Sequence, residues 1–437
     1  MRIILEPSEY HLEDNVGHVV MTHVAAARVS ALWPSAAIEI LTEPSALLSE
    51  FCPGCIAVLR HRPRSGAQSG FQAVLAQVPG TAQGLVILKN SLRRHSPSLF
   101  KILKRLKGRA KLPTRDYRSE ERDAIRGADL MVVSGMGGVT ETFRAYAFGL
   151  LDRIESALEA GIPVAMMGQG IGPLRDPELR ARAAEVLSGV SLICLREGRA
   201  SPSILTSLGI PPERILVTGD DAVEIAFLRR PERLGNSLGV NLRVARYSAI
   251  DLSLAPSFAR LVQQAATNFN AELTPVPIDR DDVEPIKVVV GEYRKTEPVE
   301  YAASPIRAIE SVGRCRALIT GSYHAAVFAL SMGIPTVCIA CSDYYVDKFL
   351  GLGHQFGPGC EVVMLDRTDW PEKAAAAIAH AWRSAEQLRP ELLGAAHKQV
   401  ELGRAAYRAV YEMFPRWSPQ YQHGIAPANA PAENHMR

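Results

Sequence analysis

Short apolar runs alternate with longer stretches of helical spacing along most of this chain, the βαβ rhythm that builds a parallel sheet covered by helices. Runs at 36–42 (AAIEILT), 84–89, 128–135 (ADLMVVSG), 163–170, 191–197 and 214–220 form one set of expected strands, each followed by a glycine-rich or polar turn. A second set covers 236–244, 271–279, 287–293 (KVVVGEY), 315–324 and 335–340. Between the sets, residues 227–237 (FLRRPERLGNS) replace the periodic pattern with charge, proline and glycine. At 437 residues the chain also exceeds what one hydrophobic core usually supports. The expected architecture is therefore α/β with two Rossmann-like domains, 1–232 and 233–369, each a parallel sheet wrapped by helices. Alanine-rich helices at 370–414 are expected to return and brace the first domain, and 415–437 reads as a disordered tail.

Composition narrows the class. Hydrophobic residues at 47% and charged residues at 22% are ordinary for a soluble folded protein. A formal charge of +3 is too small to imply a nucleic-acid partner, and none is expected. There is no apolar run of membrane-spanning length, and the opening residues lack the layout of a secretion signal, so the expected location is cytoplasmic. Seven scattered cysteines favour reduced thiols, and the two CxxC pairs (Cys52/Cys55 and Cys338/Cys341) lack companions at zinc-binding spacing. No metal or other cofactor is expected. One stretch breaks the rhythm: 96–115 interleaves Lys101, Lys104, Arg105, Lys107, Arg109 and Lys111 with leucines and other apolar residues. Such a basic amphipathic helix at 99–111 either makes a peripheral contact with the inner face of a membrane or forms a solvated rim.

In a parallel sheet the strand C-termini open into the ligand crevice, so the turns there carry the candidate chemistry. After the 128–135 strand, Gly137 and Gly138 make either a tight turn or a close-approach binding loop; GxGG lacks the spacing of a dinucleotide fingerprint. Gln169 lies in a second glycine-rich loop, GQGIGP, as a polar group able to reach the crevice. Arg196 ends an apolar strand, where a guanidinium needs either a carboxylate such as Glu197 or an anionic ligand. Asp220 and Asp221 precede a helix as caps, with Asp220 also carried as a candidate catalytic carboxylate. Arg243 ends the first strand of the second set. Ser322 and Tyr323 open a helix whose N-terminus suits a phosphate, and His324 beside them can exchange a proton. Tyr344 and Lys348 follow the next strand and could hold a sugar ring. The acidic run 279–285 (DRDDVEP) reads as a surface turn.

The GADLMVVSGMGGVTETF stretch, the GQGIGP, RExxxS and TGD blocks, and TGSYHAAVFALSMGIP resemble the polysaccharide pyruvyl transferase family in order and spacing. That resemblance implies two facing Rossmann-like domains similar to GT-B glycosyltransferases, and transfer of pyruvate from phosphoenolpyruvate to a saccharide hydroxyl in cell-envelope polysaccharide synthesis. It places Arg196 on the family's arginine of the RDxxS block, His324 on the histidine of its Arg-x-His block, and Asn15 and Gly17 on its opening motif. Three positions depart: Ser322 replaces the arginine of Arg-x-His, His18 an aspartate, and Asp221 a proline. A serine there removes a cation and a planar fork, for which Arg243 is the expected substitute. Two donors stay open on this reading, phosphoenolpyruvate or a nucleotide sugar, with a saccharide or lipid-linked saccharide as acceptor.

Overall fold

A computed structural model describes residues 1–8, 15–59, 117–301 and 304–414. The chain divides into two units, residues 1–59 with 122–437, and residues 60–121. Of the second, 117–121, the first turn of the helix Tyr117–Arg126, are described. The expected strand at 84–89, the basic segment at 96–115 and the tail at 415–437 lie outside the described residues.

The larger unit is built on two parallel sheets. In the first, β1 (Arg2–Glu6), β2 (Ala37–Leu41), β3 (Ile56–Val58), β4 (Leu130–Val133), β5 (Met136–Val139), β6 (Val164–Ile171), β7 (Leu192–Leu195) and β8 (Ile215–Val217) run in the order β3-β2-β1-β4-β6-β7-β8. β5 continues along β6 beyond the end of β4. In the second, β9 (Ser237–Asn241), β10 (Glu272–Pro275), β11 (Cys315–Thr320), β12 (Thr336–Ala340) and β13 (Cys360–Met364) run in the order β10-β9-β11-β12-β13. β4 (LMVV), β7 (LICL) and β12 (TVCIA) are buried along their whole length, which is why they read as unbroken apolar runs rather than alternating ones. The sheet changes between Val217 and Ser237, across the segment that lost its periodicity. Each sheet has one point where strand order reverses, between β1 and β4 and between β9 and β11, and there a crevice opens at the strand C-termini.

Two expectations are corrected. The run 287–293 is not a strand; most of it is the end of the helix Val283–Val290. Its apolar residues bury at helical spacing, with Ile286, Val289 and Val290 inside while Val288 is 45% exposed. A capping box at Asp279 and Asp282 starts the turn that feeds this helix. The C-terminal helices also divide their work. Trp370–Arg383 packs on the second sheet through Trp370, Ala374, Ala377, Ile378 and Ala381, not on the first. The long helix Ala385–Met413 does reach the first sheet, where Ala406, Tyr407 and Val410 join the core around β1 and β2. Among the described residues no helix is long and apolar enough to cross a membrane.

Candidate active site

The two reversal points meet at one cavity of about 200 Å³. The first sheet contributes Ser8 after β1, Asn15 and His18 at the start of the helix Val16–Leu32, Met136, Gly137 and Gly138 on β5, and Arg196 after β7. The second contributes Arg243 after β9, Asp279 after β10, Ser322, Tyr323 and His324 after β11, and Tyr344, Tyr345 and Lys348 after β12. Direct bonds tie the halves together here. The Val16 amide donates to the Ile278 carbonyl at 3.1 Å. Asn15 caps its helix by accepting from the Gly17 amide at 3.0 Å, and its Nδ2 donates to Asp279 Oδ2 at 3.1 Å.

Arg196 is 2% exposed and is held by what its neighbours lack. A Cβ on Gly137 would fall 2.7 Å from its Nη2, and one on Gly170 would fall 2.8 Å from its Nε. Both glycine loops are thus open because a guanidinium fills the space. Its plane lies over the Tyr323 ring, Cζ 4.3 Å from the centroid. Its carboxylate partner is Asp220, at 3.4 Å from Nη1. Glu197 is occupied elsewhere, accepting the backbone amides of Arg199, Ala200 and Ser201. Arg196 Nη2 is buried with no hydrogen-bond partner. A charged donor left so in a cavity wall is costly until an anion fills the cavity.

Arg243 is in a different state. Its Nε and Nη2 grip Asp282 at 2.6 and 2.9 Å, and Nη1 donates to Asp279 at 3.0 Å and to Tyr247 Oη at 3.2 Å. With both aspartates on it, Arg243 does not stand in for the arginine that Ser322 replaces. The acidic run 279–285 is correspondingly a surface turn only in part: Arg280, Asp281 and Glu284 are exposed, while Asp279 and Asp282 turn inward to Arg243. Asp282 is fully buried, and it also accepts from the Ile278 and Asp279 amides and from Asn241.

His324 sits at the N-terminus of the helix Tyr323–Ser331, which Ser322 leaves without a side-chain cap. The imidazole lies directly against Gly17, where a Cβ would come within 2.1 Å of Cγ and Nδ1. Its Nε2 is buried without a hydrogen-bond partner. Burial, then His18, Arg196 and Lys348, push its pKa well down, so the ring is neutral. His18, T-shaped to it at 5.7 Å between centroids, is pushed down to about 3 by burial and then by Lys348. The Lys348 amine donates to Tyr344 Oη, lies 3.7 Å from that ring's centroid and faces Tyr323 and Tyr345 at 5.5 and 5.6 Å. Burial, then Arg196, push its pKa well down.

Of the predicted residues, Asn15, Gly137, Gly138, Arg196, Arg243, Ser322, Tyr323, His324, Tyr344 and Lys348 line the cavity, and Gly17 supports His324 from beneath. Gln169 and Asp220 do not line it. Gln169 is fully buried, its Nε2 donating to the Ser134 carbonyl just past β4 and to the Met167 carbonyl within β6. Asp220 stands behind Arg196 and accepts from the Ala222 amide at 2.9 Å. Asp221 pairs with Arg28 at 2.6 Å and with Tyr407 Oη at 2.8 Å, away from the cavity. Sequence reasoning missed Asp279 and Tyr247. Their signal was the arginine at the end of β9, which needed carboxylates that the chain supplies some forty residues later. A larger cavity of about 450 Å³ lies among the helices Val16–Leu32, Ala222–Leu228 and Ala385–Met413, but its Arg28, Glu224 and Arg404 are paired with one another.

The sequence model of the polysaccharide pyruvyl transferase family matches residues 83–343, more than half of the chain. The chain belongs to this family. This pyruvyl transferase family member is accordingly a transferase, and its two facing parallel sheets are GT-B-like. Solved structures show the same architecture at low identity. A UDP-N-acetylglucosamine 2-epimerase described as putative, from Listeria monocytogenes, superposes with a TM-score of 0.60 at 10% identity, over 95% of this chain and 97% of that one. The Neisseria meningitidis UDP-GlcNAc 2-epimerase bound to UDP-GlcNAc gives 0.53 at 12%, over 95% and 100%. A Polygonum tinctorium UDP-glucosyltransferase gives 0.53 at 12%, over 95% and 98%. A search of curated proteins finds no match to the chain.

Proposed function

We propose that this pyruvyl transferase family member moves the pyruvyl group of phosphoenolpyruvate onto a saccharide, with a cell-envelope polysaccharide or its lipid-linked precursor as acceptor. The observation that carries the reading is the unpartnered Arg196 Nη2, in a wall that also presents Lys348 and the uncapped start of the helix Tyr323–Ser331. A carboxylate and a phosphate on one small molecule would satisfy these donors together. The cavity volume of about 200 Å³ suits such a ligand, because drug-sized molecules occupy about 300–1,000 Å³.

The chemistry follows from the protonation states. Addition of a sugar hydroxyl across the enol double bond puts oxygen on C2 and a proton on C3. The neutral His324 imidazole is in the form that accepts the hydroxyl proton, and its helix N-terminus stabilises the adjacent phosphate anion. A second hydroxyl then attacks C2, the C2–O bond to phosphate breaks, and the imidazolium returns its proton to the leaving phosphate. The product is a ketal and inorganic phosphate.

The second reading, a nucleotide-sugar donor, is favoured by Ser322, since a hydroxyl and helix amides accommodate a diphosphate without the family's arginine. Thermal-shift measurements with phosphoenolpyruvate against UDP and UDP-sugars separate the two. At a hundredfold excess over Kd the correct donor adds about 2.7 kcal/mol of stability. Stabilisation by phosphoenolpyruvate alone is the expected result; stabilisation by UDP-sugars alone would overturn it.

A further inference from the structure

Addition to an enolpyruvyl double bond needs a second proton carrier, because the proton on C3 and the proton leaving the hydroxyl are handled on different atoms. His324 serves the hydroxyl. Lys348 also lines the cavity and, among the described residues, forms no ion pair with a carboxylate. Both lie around the Tyr323 ring: Lys348 Nζ is 5.5 Å from that ring's centroid and the His324 ring, T-shaped to it, is 5.4 Å from it. Lys348 Cε and Arg196 Nη2 converge on Gly137, at 3.3 and 2.7 Å from where a Cβ there would sit. A donor anion held by Arg196 is therefore beside the lysine. We propose that Lys348 is the catalytic acid that protonates C3, and that it is loaded with its proton by the arrival of the anionic donor. This rests on the phosphoenolpyruvate reading above.

The surroundings explain the loading. The rings of Tyr344, Tyr323 and Tyr345 attract an ammonium, and Asp220 does so from behind Arg196. Burial, Arg196 and Arg243 oppose it and outweigh it, driving the amine towards neutrality. His18 and His324, also at the cavity, are held neutral by burial and by the neighbouring cations, while Asp279 is held by Arg243 and Tyr247 accepts from Arg243. A bound carboxylate and phosphate reverse the local sign, and the amine takes a proton from solvent. The steps then balance. The ammonium N–H breaks as C3–H forms, and the first hydroxyl bonds to C2 while its proton goes to His324. The second hydroxyl expels phosphate, which leaves with the His324 proton, and the second hydroxyl's own proton returns to the Lys348 amine. Both groups end as they began.

The test uses full-length protein, Lys348→Met, which matches the length and volume, and Lys348→Arg, which keeps the charge and has no proton to give at neutral pH. Phosphoenolpyruvate is titrated calorimetrically without acceptor in buffers of different ionisation enthalpy, and transfer is then assayed by phosphate release. Wild type is expected to take up about one proton more than either variant on binding. Both variants are expected to bind the donor, stay folded in thermal melts, and lose about 10²–10⁴ in kcat. Wild-type turnover in Lys348→Arg would reduce the lysine to a fixed charge and overturn the proposal. Equal proton uptake in all three proteins would overturn it too, leaving the donor assignment intact. If wild type does not bind phosphoenolpyruvate at all, the donor assignment falls and this inference with it.

Discussion

Gly17→Ala is the sharpest test of the claim that His324 works from a fixed position. The added methyl would lie 2.1 Å from Cγ and Nδ1 and 2.6 Å from Cε1 of that ring. Carbon atoms rest about 3.5–4.0 Å apart, so the imidazole must retreat by roughly 1.4 Å or more. It cannot do so freely, since Tyr323, His18 and Phe328 all contact it. A displacement of about 1 Å at a reacting group costs about 10²-fold, and losing general acid–base assistance altogether costs about 10²–10⁴. The helix itself should tolerate the change, because alanine is preferred to glycine there by up to about 1 kcal/mol. The expected result is a folded protein whose donor-binding thermal shift survives while kcat for phosphate release falls at least about a hundredfold. Wild-type turnover in Gly17→Ala would refute the placement of His324 in the reaction.

Two further outcomes follow from the buried charges. His18, pushed down to about 3, and His324, pushed well below its ordinary value, bind protons in the unfolded chain that they refuse when folded. Stability is therefore undiminished above about pH 6.5 and falls as pH drops below it, by about 1.4 kcal/mol per pH unit for each histidine. Denaturant titrations between about pH 7.5 and about pH 5 check this, and a His18→Gln variant whose slope matched wild type would contradict it. Asp282→Ala strips Arg243 of its bidentate partner and leaves the Ile278 and Asp279 amides unmet, so a loss of about 3–5 kcal/mol is expected in urea unfolding; under about 1 kcal/mol would show the pair to be dispensable.

The strands that carry the site were legible because parallel sheets bury both faces and so write themselves as apolar runs, as β4, β7 and β12 do. Arg196 and His324 were legible for a related reason: a charged or titratable side chain at the end of such a run stands where the crevice opens. What failed was whatever depended on a distant partner. The apolar spacing of 283–290 fits a strand as well as a helix until the capping box at Asp279 and Asp282 is considered. Those same aspartates passed for a surface turn because only the folded chain brings them to Arg243. Gln169 looked like a ligand-facing group, yet β6 turns it into the sheet to bond the Ser134 carbonyl. Gly137 was read as part of either a tight turn or a binding loop and Gly17 as part of an opening motif, whereas Gly17, Gly137 and Gly170 make room for His324 and Arg196.

That last point changes what the loss of the family's arginine at Ser322 implies. Arg243 could not replace it without leaving Asp279 and Asp282 uncompensated in the interior. The cations available to an anion are therefore Arg196, with a buried nitrogen unsatisfied, and Lys348, whose proton is disfavoured until an anion comes. The cavity thus holds an orphan guanidinium donor, a lysine and two histidines below their ordinary pKa, each unfavourable to folding. The bonds from Asn15 to Asp279 and from Asp279 to Arg243 hold the two sheets around it, so the groups cannot relax apart. On the proposed reading, a donor that meets the Arg196 nitrogen and brings Lys348 its proton recovers stability as it binds, which is the physical reason to expect a small, doubly anionic molecule rather than a larger one whose charge lies at one end.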